Sequence, residues 1–131
     1  MMGWICMRRM IVLFGMLLFA LVLASCSQKR QAIEGAELDT VLAYSEPAAD
    51  RFFQGLNEND YALFSTDFAS VLDSSVGEKG LQDMQTSILG KTGKYLSREV
   101  SRVEQDDKFV SVFYDAEFEQ EEHVTARLVF D

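Results

Sequence analysis

Thiols are scarce in this 131-residue chain, which has two cysteines, Cys6 and Cys26. Beyond Cys26 there is none, so that stretch can hold no disulfide, no thiolate metal site and no cysteine redox chemistry. Histidine occurs once, as His123, and without a second imidazole or a thiol it lacks partners for a metal site. Proline also occurs once, as Pro47. Positive charge is in deficit, 12 Lys and Arg against 21 Asp and Glu, a net charge of −9. Phosphate backbones demand clusters of Lys and Arg, so this balance excludes nucleic acid as a partner, and it opposes lying flat on anionic lipid. The longest apolar run, Met10 to Leu23, falls short of the about 20 residues that a helix needs to cross a bilayer.

That run is nonetheless informative. Arg8 and Arg9 precede it and Leu23-Ala24-Ser25-Cys26 closes it. This is the layout of a secretory signal peptide, with a basic end kept in the cytoplasm, an apolar middle in the membrane and small residues at the cut. The tetrapeptide resembles the lipobox of bacterial lipoproteins. The resemblance implies that residues 1–25 are a lipoprotein signal peptide and that Cys26 carries a diacylglycerol. Each buried CH₂ contributes about 0.8 kcal/mol, so two acyl chains hold firmly where one is marginal. The expected location is extracytoplasmic, anchored by lipid to the cell membrane or outer membrane. If the host has an outer membrane, Ser27, standing where the resemblance puts Asp for inner-membrane retention, leans towards that destination. An unmodified secreted protein and an uncleaved anchor are the alternatives, and both leave the domain outside the cytoplasm.

After Cys26 the length supports one domain. Residues 26–38 read as the lipidated cysteine and a flexible tether, because "SQKRQAIEGAE" is polar apart from Ile33. Residues 39–131 read as the domain. Asp39 is the expected N-cap of a helix with Val41 and Leu42, and Ala48, Phe52, Phe53 and Leu56 recur at helical spacing beyond Pro47. Pro47 either kinks one long helix or opens a second. Gly55 to Asn59 breaks the pattern, and Asp60 caps a helix carrying Tyr61, Phe64, Phe68 and Val71. After a turn at Asp73 to Gly77, Leu81, Met84, Ile88 and Leu89 mark a third helix, ending near Gly90 or Gly93.

From Tyr95 the period becomes two. Val110, Val112, Tyr114, Ala116 and Phe118 alternate with Phe109, Ser111, Phe113, Asp115 and Glu117, which predicts a strand with one wholly apolar face. Val124, Ala126, Leu128 and Phe130 repeat the pattern, whereas Tyr95 to Glu104 is a fainter strand with two mixed faces. The fold class is therefore α+β, with N-terminal helices packed on a curved antiparallel sheet. The words "GLNENDYALFSTDF", "GKYLSREV" and "VFYDAEFEQEEHVTARLVFD" resemble small prokaryotic domains of unknown function in the nuclear-transport-factor-2-like, cystatin-like group, often found on lipoproteins. The likeness runs from about Asp39 to Asp131 and implies a cone-like sheet. That group usually adds a further strand after the one bearing Phe130, so either the sheet is short of its last strand or the reading frame is truncated.

The cone of that group can hold a pocket, and related families use one for isomerase or dehydratase chemistry. Tyr61, Phe64, Phe68 and Tyr114 are the candidate lining of an apolar ligand pocket, and their spacing fits an ordinary core equally well. His123 is read as a solvated histidine on the polar face of its strand. Asp115, Glu117, Glu119, Glu121 and Glu122 lack the glycine-turned spacing of a calcium loop and read as a solvated edge, so no metal and no cofactor is expected. GKTGK at Gly90 to Lys94 follows a helix and lacks phosphate-loop spacing, so it reads as a helix end. Two functions remain open: a lipid-anchored, non-catalytic binding or accessory module for a small apolar ligand or an envelope protein, and a pocket enzyme. Convergence of at least two of Asp67, Tyr114, Asp115 and His123 in one closed cavity would favour the enzyme. A weak homodimer through the sheet face bearing Phe109, Phe113 and Val129 is a further expectation.

Overall fold

The structure, a computed structural model, describes residues 29–131, so the expected signal peptide (residues 1–25) and the expected lipidation site Cys26 lie outside the described residues. Strand β1 (Gln31–Ala32) leads into helix α1 (Gly35–Glu58). Short helix α2 (Tyr61–Phe64) and helix α3 (Ser70–Met84) follow, then a π-helical turn (Gln85–Leu89) and a last helical turn, α4 (Gly90–Thr92). Strands β2 (Tyr95–Asp106), β3 (Phe109–Phe118) and β4 (Val124–Phe130) complete an antiparallel sheet in the order β1-β2-β3-β4. Helices thus precede a curved sheet that does not close, the α+β arrangement expected from the change of period.

The N-terminal boundary differs from expectation. Gln31 and Ala32 pair with Gln105 and Glu104, and Ile33 is buried with its N–H bonded to the Val103 carbonyl at 2.9 Å. Only the part before Gln31 can act as a tether, because Ile33 gains more from the core than from solvent. The helix starts at Gly35, not at Asp39, and Glu34 occupies the cap without a side-chain hydrogen bond. It runs unbroken through Pro47, which removes one N–H but sits on the exposed side. Of its buried stripe, Val41, Ala49 and Phe53 lie across the sheet against Val103, Val112, Tyr114, Ala116 and Phe118, whereas Leu56 packs with Phe64 and Leu81.

Two further departures concern the helical layer. Asp60 caps α2 as expected, accepting from the Leu63 N–H at 3.1 Å, but the helix stops at Phe64. Val71 consequently leaves the aromatic stripe and is 78% exposed. Asp73 to Val76 is helical, and the break falls at Gly77, whose φ of 58° ends one regular segment before the next begins.

The faint strand also has a cause. β2 pairs with β3 through two register shifts, between Tyr95 and Ser97 and between Val100 and Arg102. Each bulge inserts a residue and inverts the alternation beyond it. Tyr95, Arg98, Val100 and Val103 therefore share the inward side at spacings that no period of two can display.

Candidate functional site

Phe52 on α1 stacks at a tilt on Phe64 of α2, with centroids 4.8 Å apart, and Phe64 meets Phe68 edge-on at 5.0 Å. This contact depends on Gly55, because a methyl there would fall 2.6 Å from the Phe64 Cα. Glycine lets α2 lie directly on α1. Leu72, Val76 and Met84 of α3 form one further wall, and Leu128 and Phe130 of β4 the opposite one. Between them runs an open, mainly apolar groove of about 420 Å³. At its rim Asp67 accepts two hydrogen bonds from Arg51, each 2.7 Å. The Arg51 hydrogen bond and charge, working against partial burial, hold the Asp67 carboxyl below its ordinary value. A carboxylate so tied makes a poor general base.

Of the four residues expected to line a pocket, Phe64 and Phe68 meet in this groove. Tyr61 turns away, giving its hydroxyl to Asp73 at 2.6 Å, and lines a separate polar hollow with Glu58, Asp60 and Glu78. Tyr114 is fully buried between sheet and α1, remote from the groove lining. Sequence reasoning missed Phe52, Leu72, Met84, Leu128 and Phe130 as lining residues. Phe52, Met84, Leu128 and Phe130 stand on apolar stripes, which signal burial but not which stripes will face each other, and Leu72 belongs to none of the stripes read from the sequence.

Arg98 forms a second polar centre that the sequence did not reveal. Its side chain is 8% exposed, donating to Asp50 at 2.8 Å, to the Tyr95 hydroxyl at 3.0 Å and to Glu46 through both its carbonyl and its carboxylate. Phe53 and Tyr114 present their rings to the guanidinium. Burial works against its charge, but the hydrogen bonds it donates to Asp50 and Tyr95 and the charge of Glu46 outweigh it and hold the pKa above the ordinary value. Tyr114, desolvated above all by burial, is pushed up to about 12 and stays neutral at physiological pH. Ser45 Oγ, Glu46 Oε1, Arg98 Nε and the Tyr114 hydroxyl are buried without a hydrogen-bond partner among the described residues. The cluster locks α1 to β2, with Tyr114 neutral and Arg98 charged near pH 7.

His123 and Asp115 meet on the outer face, Nδ1 to Oδ2 at 2.9 Å, with the histidine side chain 81% exposed. Their hollow, lined also by Ser97, Glu99, Glu117 and Glu122, is open to solvent. The hydrogen bond and charge of Asp115, with smaller help from Glu122 and Glu117, raise the His123 pKa. Asp67, Tyr114, Asp115 and His123 thus occupy three separate places and do not converge in one closed cavity.

Among the described residues no group of three or more His, Cys, Asp or Glu is arranged to hold a metal ion, and no helix is long and apolar enough to cross a membrane. Neither a curated protein nor a solved structure matches the chain. One family model does match, over residues 49–131, the part that holds nearly all of the groove lining, Arg98 with its partners Asp50 and Tyr95, and the three long strands. Its description is "Protein of unknown function (DUF3887)", and the chain belongs to that family.

Proposed function

We propose that this chain is a lipid-anchored lipoprotein of the cell envelope whose domain is a non-catalytic binding module for a small apolar ligand or an envelope protein. The basic start, apolar run and LASC motif support the anchor at Cys26, and the sequence words support the nuclear-transport-factor-2-like group. The groove carries the binding reading. It is apolar where the helices meet β4, and of the two carboxylates that border it, Asp67 and Asp131, Asp67 is already paired with Arg51. A second reading, a pocket enzyme of the isomerase or dehydratase kind, has the Asp115–His123 contact in its favour. Against it, acid–base work needs a dry site, and that hollow is open.

Two measurements on the full chain in a bacterial envelope test the proposal. Wild type incorporates radiolabelled fatty acid and Cys26→Ser does not; an unlabelled wild type overturns the anchor. The purified protein enhances the fluorescence of an anilinonaphthalene sulfonate probe, and Phe68→Glu removes the enhancement while Asp115→Asn leaves it. Equal fluorescence from Phe68→Glu and wild type overturns the groove as the binding site.

A further inference from the structure

β4 is the outer strand of the sheet among the described residues and bonds to β3 alone. Natural edge strands are commonly protected by a lysine, a proline, a bulge, an inward charge or a covering segment. Val124–Phe130 contains neither lysine nor proline, and its register with β3 runs without a shift. What lies beside it is the open groove. The opposite side of the sheet differs, since β1 covers Glu104 and Gln105 and bulges interrupt β2. Burial is also incomplete at β4. Its inward residues Val124, Ala126, Leu128 and Phe130 are only half-buried, whereas Val112, Tyr114 and Ala116 on β3 are at most 1% exposed. Tyr44, edge-on to Phe130, and Leu72, in the groove wall, are exposed apolar residues beside the same strand.

We propose that β4 pairs antiparallel with β4 of a second copy of this chain, about a two-fold axis at Val129. Charge selects both the partner and the register. With the axis at Val129, Arg127 stands directly opposite Asp131 of the other copy, and the same pair recurs by symmetry. Leu128 then faces Phe130 on the groove side, and Val129, 51% exposed, faces its own counterpart on the outer side. Moving the axis to Arg127 would set two guanidinium groups opposite each other, which disfavours pairing. Moving it to Leu128 would put Arg127 across from Val129 and leave no directly opposed ion pair. Arg127 is available for this contact: it hydrogen-bonds Ser111 Oγ and lies over Phe113, but it has no ion pair among the described residues. Pairing would satisfy the outward backbone groups of β4 and join the two sheets. The contact is the strand edge, because Phe113, expected to offer an apolar surface on the face, lies 8% exposed between Arg102 and Arg127.

A cysteine placed on the two-fold tests this directly, since a disulfide requires Cα atoms within about 7 Å. The full chain carrying Val129→Cys is oxidised in the bacterial envelope and run without reductant, beside Thr125→Cys and the wild type with its native cysteines. The expected result is a covalent homodimer from Val129→Cys and only wild-type background from Thr125→Cys, which lies far from the axis. Adding Arg127→Asp to Val129→Cys lowers the yield about fivefold by opposing like charges at two symmetric positions, and adding Asp131→Arg as well restores it. Equal yields at the two cysteine positions, a charge swap that fails to restore, or a crosslinked product containing a different protein would each overturn the proposal.

Discussion

The two apolar clusters of this domain are built from similar side chains and finish differently. Around Phe53, Val112, Tyr114 and Ala116, the 24-residue helix α1 lies across the sheet and every central side chain is at most 2% exposed. Around Leu56, Phe64 and Leu81 the covering elements are a four-residue helix and a helix broken at Gly77, and Phe52, Phe68 and Met84 remain only partly buried. A long helix on a sheet closes its layer; two short segments meeting at angles leave a groove. The groove is therefore a consequence of interrupted helices, since aromatic side chains are shared by both clusters.

The largest expected effect tests the closed side. Phe53→Ala removes a ring stacked on Tyr95 at 4.2 Å and leaves a cavity in the tightest layer, so it should cost about 3–5 kcal/mol in chemical denaturation. A loss near 1 kcal/mol would mean that this layer is no more closed than the other. Next comes the junction. Gly55→Ala drives a methyl into the Phe64 backbone and should cost about 1–3 kcal/mol while changing probe binding in the groove, because α2 must shift. A smaller loss is expected from Phe68→Ala on the open side, about 1 kcal/mol, together with reduced probe fluorescence, since this ring is already part-exposed.

The smallest effect lies outside both clusters. His123 has a folded pKa above its ordinary 6.5, so its contact with Asp115 stabilises fully below that ordinary value and loses the contribution as pH rises through the raised one. His123→Asn should remove a slight pH slope in that window and nothing else, as befits an exposed pair. A large slope, or one of opposite sign, would mean that the hollow is less open than its geometry implies.

Much of the fold was legible because burial leaves a periodic trace. The apolar face of β3 and the Asp60 cap stand where the alternation and spacing placed them. β2 was faint for a definite reason: two bulges scramble its phase, so both of its faces looked mixed and nothing marked Arg98 as an inward residue. The N-terminal boundary was misplaced because Ile33 alone carries the signal that Gln31 and Ala32 pair with the sheet. The groove was half legible. Phe64 and Phe68 were read from their stripe, but Tyr61 and Tyr114 share its chemistry and point elsewhere.

By itself the sequence determined the change from helix to strand, the inward face of β3, the acidic surface and the absence of thiols beyond Cys26, all properties of single residues or of one period along one element. Tertiary structure decided which stripes meet, where the bulges fall and whether a layer closes. Those outcomes depend on how separate elements come together in space, such as Gly55 against Phe64 on consecutive helices and Leu72 with Leu128 in one groove lining, and hydrophobic attraction, being non-directional, writes no partner into either stripe.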